Sequence, residues 1–430
     1  MQQLTGGYFT AYRGLAARDD LDLVLHLGDY VYEYGTGEDR YGPDALAGLR
    51  DHQPPTETVT LQDYRLRHAL YKTDPDLQAA HARHPWVVIF DDHEITNDAY
   101  ATGAENHEQQ DDPDTSYTGP GEPAGVRAEG DFLARRALAL QAYLEWMPVR
   151  EPASWQPEPH AGTQFFRRFA FGDLAELSVV ETRQNRSQQV PTTVAGALNP
   201  ALVDPARHLP EPEQLRWLAD GITSGRTAWH LVGNQTVFAR VFSLPGAGVL
   251  PGQVFNADQW DGYQADQAAL LAAMAASGGT DPVVLTGDIH SSWANDLPVD
   301  PAAYGRDRST SAGVEFVCPS VTSDGFKEVL GGSAATAAVV TAAFQAVNPW
   351  VVHLEGIGHG FAVVDVTPER VQTDFWYVRS GGDKGLVVDP RLDPAATVAW
   401  DSSWQSAKGS RTVSGPVGEL GPRSDVARGA

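Results

Sequence analysis

The chain has a single cysteine, Cys318, among its 430 residues, so no disulfide can form within it. Cations are scarce. Lysines and arginines number 31 against 56 aspartates and glutamates, a formal charge of -25 and a pI near 4.7. That balance excludes an electrostatic grip on nucleic-acid backbones, which needs a basic face. Long hydrophobic runs are missing too. The longest, over residues 334–347, is too short and too rich in alanine to cross a bilayer, and no basic, apolar leader precedes Gln2. Internal repeats are also absent. What is present suits a globular domain with an ample core: 42% hydrophobic and 20% charged residues.

Strand-like and helix-like segments alternate from the start, which predicts a mixed α/β layered fold. Expected strands are Leu21–Leu27, Trp86–Phe90, Leu174–Val180, Trp229–Gly233 and Val283–Thr286, each followed at once by polar residues. Expected helices are Leu61–Tyr71, Asp131–Trp146 with Asp131 as N-cap, Pro212–Leu218 and Asp266–Ala276. Phe361–Thr367 and Gln372–Val378 read as a β-hairpin. Cys318, in a strand-like run, reads as a core residue. Residues 101–130 lack apolar period and read as a long loop overhanging a crevice. The stretch 151–162 is proline-rich, and the tail beyond residue 405 reads as disordered. One catalytic domain over 1–405 is the expectation, acting as a monomer.

The strand exits carry the chemistry. Gly28-Asp29-Tyr30-Val31-Tyr32 places a carboxylate three residues before a phenol, a pair able to bridge cations and bind a hard trivalent ion. Asp91-Asp92-His93-Glu94-Ile95-Thr96-Asn97-Asp98 packs four carboxylates and a histidine into eight residues. Repulsion among that many carboxylates raises their pKa values unless cations compensate. Asp288 and His290 follow an apolar strand at i and i+2, on one face of an extended segment. Arg183 and Asn234 mark two more exits, and a guanidinium is a natural bidentate partner for phosphate oxygens. Each motif alone is as readily a capped acidic loop or a structural ion pair. Together they are the parts of a multi-metal phosphoester hydrolase acting by metal-activated hydroxide.

These stretches resemble the PhoD-like alkaline phosphatase and phosphodiesterase family of metallophosphoesterases. The likeness extends through Gly7–Arg13, Tyr71–Leu77, Asp91–Glu94, Glu145–Pro148, Gly233–Gln235 and Gly287–His290, in the family's order. The resemblance implies a metallophosphatase-type sandwich of two β-sheets flanked by helices, with ferric iron (Fe3+) and calcium (Ca2+) at the sheet edge. It implies metal ligation by Asp29, Tyr32, Asp92, Asp288 and His290, with Asn97 a further candidate ligand. His93 would steady the phosphate or its leaving group, Arg183 would hold phosphate oxygens, and Asn234 would bind substrate. Small extracytoplasmic phosphoesters, mono- or diesters, are the implied substrates.

Three departures qualify that transfer. The family's Ser-Cys element, whose cysteine ligates iron, is not in the chain, which predicts weaker iron binding. The family's export leader and small β-sandwich domain are also not in it, so the chain reads as N-terminally truncated. Glu181 and Asn185 stand where aspartate and tyrosine are expected. An inactive remnant that binds metal or phosphate without turnover is therefore the alternative. Structural calcium loops in an interaction protein would need acidic repeats, which the sequence lacks.

Overall fold

Short β-branched and aromatic runs become strands here because neighbouring layers cover both their faces. The computed structural model describes residues 1–36, 46, 48–107, 129–150, 152, 164–380, 389–421 and 423. Helix α1 (Thr10–Ala16) leads into strand β1 (Val24–His26). Helices α2 (Leu61–Tyr71) and α3 (Pro75–Arg83) carry the chain back to β2 (Trp86–Val88), parallel to β1. Helix α4 (Phe132–Trp146) precedes an antiparallel pair, β3 (Arg167–Phe171) and β4 (Ala175–Val179), and the small hairpin of β5 (Thr193–Val194) and β6 (Ala197–Leu198). Helix α5 (Pro212–Ser224), β7 (Trp229–Asn234), α6 (Gln264–Ala276), β8 (Asp281–Thr286) and β9 (Ser292–Pro298) follow. The chain continues through α7 (Pro301–Tyr304), β10 (Ser311–Val317), α8 (Phe326–Val329), α9 (Ala334–Val347) and β11 (Val351–Glu355). It closes with β12 (Gly360–Val366), β13 (Arg370–Arg379), β14 (Thr397–Ala407) and β15 (Ser414–Val417).

Seven strands form one sheet in the order β11-β9-β10-β8-β7-β4-β3, in which β4, β7, β8 and β10 run parallel. A four-stranded antiparallel sheet, β12-β13-β14-β15, and the β1–β2 pair cover one of its faces. Period-two alternation divides the core between the faces. Val283, Ala294, Val314 and Phe316 pack toward Val88, Phe361, Val363 and Val371, while Val284, Trp293 and Val317 pack toward Leu218, Ile222, Leu270 and Met274 of α5 and α6. The result is an α/β sandwich. In such sheets the crevice lies beyond the carboxyl ends of the parallel strands.

Local chemistry accounts for most boundaries. Thr60 caps α2 in a reciprocal box with Asp63, and the Asp131 side chain accepts from the Ala134 N–H at 2.9 Å. The first two strands are shorter than expected, β1 pairing with β2 only over Val24–His26 and Trp86–Val88. Helix α5 runs past the expected stop at Leu218 to Ser224. Gly221 inside it looks like a breaker in sequence, yet a Cβ there would meet the Arg168 guanidinium at 2.0 Å, so glycine serves packing. Cys318 lies half-buried just past β10, its thiol pushed up to about 11 by burial.

The tail expected to be disordered is structured through β15. Arg411 donates to carbonyls of Met274 and Ser277 and pairs with Asp281 at 3.2 Å, while the Val413 N–H donates to Asp296 at 2.5 Å. Polar side chains there are satisfied by partners across the fold, which a composition reading cannot see. Residues 422 and 424–430, most of the expected loop between 101 and 130, and most of 151–162 lie outside the described residues. The ends of that loop do border the crevice, with Asn106 Nδ2 donating to Glu33 at 2.9 Å.

Candidate metal centre

Gly28, with φ +110°, passes so close to the segment after β2 that a Cβ would sit 2.2 Å from that of Asp91. Only glycine allows the two strand exits to touch there. Glu94 then ties them together. Its carboxylate accepts from the backbone N–H of Asp29 at 3.1 Å, Tyr30 at 2.5 Å and Asp91 at 2.7 Å. Burial and the Asp29 charge push its pKa up to about 7 against those N–H groups. Six described non-glycine residues have positive φ, and four of them are Asp29, Asp98, Asp288 and His290. Strained backbone is concentrated where these side chains are aimed into the crevice.

One oxygen each of Asp29 and Asp92 and a ring nitrogen of His93 lie within 4.8 Å of one another, and all three residues are buried. Asp29 Oδ2 accepts from the Tyr32 hydroxyl at 3.0 Å and lies 3.8 Å from His290 Nε2. Asp29 Oδ1 is buried without a hydrogen-bond partner among the described residues. His290 Nδ1 lies 2.6 Å from the Asp324 carbonyl and donates to it, so Nε2 presents its lone pair toward Tyr32, 3.2 Å away. Ser323 Oγ donates to the Tyr32 hydroxyl at 2.8 Å.

His93 is held on one side by Glu33, with Nδ1 and the carboxylate 2.7 Å apart, and its ring stacks on Tyr32 with centroids 4.1 Å apart. Burial disfavours the charged ring, but Glu33, Asp92 and Asp29 outweigh it and hold the pKa well above the ordinary range. Glu33 is itself fixed by the Asn97 N–H at 2.7 Å.

Three expected site residues have other partners. Arg183, whose side chain has no exposed surface, directs its guanidinium at carboxylates. It forms a two-pronged pair with Asp91 and bonds Asp258 at 2.9 Å and Asp288 at 3.1 Å. Its Nε, Nη1 and Nη2 thus each bond a carboxylate. Asn234, at the end of β7, is enclosed. Its amide donates to the Thr236 carbonyl and accepts from the Trp260 indole at 3.0 Å. The Asn97 amide donates to Glu105 at 2.9 Å. Asp288 Oδ2 accepts from Gln259 at 3.1 Å, and burial drives its carboxyl up to about 6.

Sequence reasoning did not assign Glu33, Glu94, Asp258, Ser323 or Asp324 a role. Glu94 lies inside the second motif and Glu33 directly follows the first, so both were readable as anchors. Asp258 had no local signal.

An α/β sandwich whose parallel-strand exits gather buried aspartates, histidines and a tyrosine defines a protein with a candidate metal centre at its sheet edge. The chain belongs to the PhoD-like phosphatase family, whose model matches residues 2–375. It is 34% identical over 390 residues to "Alkaline phosphatase D" of Bacillus subtilis (strain 168), covering 91% of this chain and 60% of that relative. The chain thus spans about three fifths of the length of this curated relative. A solved structure described as "Structure of PhoD" is similar at a TM-score of 0.74 and 30% identity, over 99% of this chain and 71% of that one.

Proposed function

We propose that the chain hydrolyses phosphate monoesters, diesters or both in a metal-dependent reaction centred on Asp29, Asp92 and His93. The convergence of these three buried side chains, in a member of a phosphatase family, carries the reading. The donor set fits cations. Asp29 Oδ1 is buried without a hydrogen-bond partner among the described residues, and the charges of Asp258, Asp92 and Asp29 all disfavour a charged Asp288. Asp29, Tyr32, Asp92, Asp288 and His290 would hold the metal ions. The phenol of Tyr32 suits ferric iron, and the surrounding carboxylates suit calcium. When bound, such ions supply Lewis acidity toward a phosphoryl oxygen and toward water.

The chain's own groups do the rest. Glu33 fixes the direction of His93, whose ring holds a proton next to the phosphate and can deliver it to the leaving oxygen. Arg183 acts as a positioning residue: it spaces Asp91, Asp258 and Asp288 and offsets part of their charge. Small phosphoesters are the substrates that a chain of charge -25 can take without a basic face.

The test is hydrolysis of p-nitrophenyl phosphate and bis-p-nitrophenyl phosphate by purified protein, before and after chelation and with iron or calcium restored. Turnover lost on chelation and regained with metal is expected. Bound metal without turnover of either ester would leave only a binding function.

A further inference from the structure

The Tyr71–Leu77 and Glu145–Pro148 segments take no part in the metal centre. They meet at a separate cavity of about 470 Å³, lined by Lys72, Leu77, Gln78, His81, Trp146 and Met147 among others. The chain has four lysines, and three lie among the described residues. Lys327 pairs with Glu328 at 2.8 Å and Lys408 with Asp281 at 2.9 Å. Lys72, half-buried, has no carboxylate within ion-pairing distance among the described residues.

In a chain this acidic, a half-buried ammonium without a counter-charge calls for an explanation. The Lys72 amine donates to the Tyr30 hydroxyl at 2.8 Å and lies 3.6 Å from the Met147 sulfur. The Tyr30 hydroxyl in turn lies 2.8 Å from His81 Nε2. Burial and Lys72 lower the His81 pKa to about 4, so the neutral ring accepts Tyr30's proton. Glu145, at the rim of the same cavity, bonds instead to Arg65 through both oxygens at 2.6 Å. The Tyr30 ring also lies 4.3 Å from the ammonium in a cation–π contact, but neither Tyr30 nor His81 carries a negative charge, and burial lowers the amine's pKa to about 8. Lys72 lines the cavity, which offers the space for a counter-charge.

We propose that this cavity binds a small organic anion, with a carboxylate or phosphate head on Lys72 and an apolar body against Leu77, Trp146 and Met147. The site is separate from phosphoester hydrolysis and does not depend on it.

Lysine amines labelled by reductive 13C-methylation give few signals in a chain with four lysines, and Lys72→Arg identifies that of Lys72. Phenylacetate and phenylphosphonate serve as probes beside inorganic phosphate. A saturable displacement of the Lys72 signal, with those of Lys327 and Lys408 unmoved, is expected at a Kd of about 1 mM or tighter. Which of the two probes binds tighter identifies the head group. Inorganic phosphate, lacking the apolar body, should bind at least about tenfold more weakly. Gln78 is exposed on α3, so Gln78→Glu should fold and weaken binding of both probes about tenfold by supplying the missing carboxylate. No selective displacement by either probe, equal binding of inorganic phosphate, or unchanged binding in Gln78→Glu would each overturn the proposal.

Discussion

Asp29 is buried, with one carboxylate oxygen bonded to Tyr32 and the other without a hydrogen-bond partner among the described residues. Asp29→Asn keeps the shape and removes the charge. It should lower turnover by about 10²–10³ and lower bound metal with it, measured by ester hydrolysis and elemental analysis on the same sample. Retention of both would sink the assignment. Glu181 permits a pH test away from the metal ligands. Its Oε1 accepts from the N–H of Arg183 at 2.6 Å and of Gln184 at 2.7 Å, while burial and Glu211 push its pKa from 4.5 up to about 7. A raised carboxyl contributes stability that is full below pH 4.5 and lost as pH rises through 7. Glu181→Gln retains the acceptor oxygen. It should match the parent near pH 4.5 and exceed it above pH 7, by on the order of 3 kcal/mol. A difference in melting temperature that does not vary with pH would refute this.

Between elements, the exits of β1 and β2 are joined by one carboxylate. Glu94 accepts three backbone N–H groups from the two segments, and Gly28 lets them approach. Glu94→Ala leaves three buried donors unpaired, at about 1–3 kcal/mol each. The variant should lose several kcal/mol of stability and, where it still folds, bind metal more weakly, because Asp29 and Asp92 are no longer held in register. Denaturant unfolding with a parallel metal assay checks both effects. Full stability would show that another group satisfies those donors. The sequence marked both segments as motifs, since each is a short polar run after an apolar strand. It could not show that Glu94 spans them.

Across the whole molecule, the last strands close the second sheet and reach the first. Arg411 and Lys408 converge on Asp281 at the start of β8, and the Val413 N–H donates to Asp296 in β9. Ending the chain after Ala407 removes β15 and leaves Asp281 and Asp296 without those partners. The melting temperature should fall by about 5 °C or more, by scanning calorimetry. An unchanged transition would mean that the segment contributes nothing to stability.

Amphipathic period, caps and apolar runs are local, so the sequence by itself determined the α/β class, helix α2, the Asp131 cap, the β12–β13 hairpin and the motifs at the strand exits. Partner choice is not local, because a guanidinium or carboxylate takes whatever the fold places within about 3 Å. Only the tertiary structure decided that Arg183 faces Asp91, Asp258 and Asp288 rather than open space, that Trp260 encloses Asn234, and that Glu33 orients His93. The same physics ordered the tail through β15 and left Lys72 without a carboxylate among the described residues.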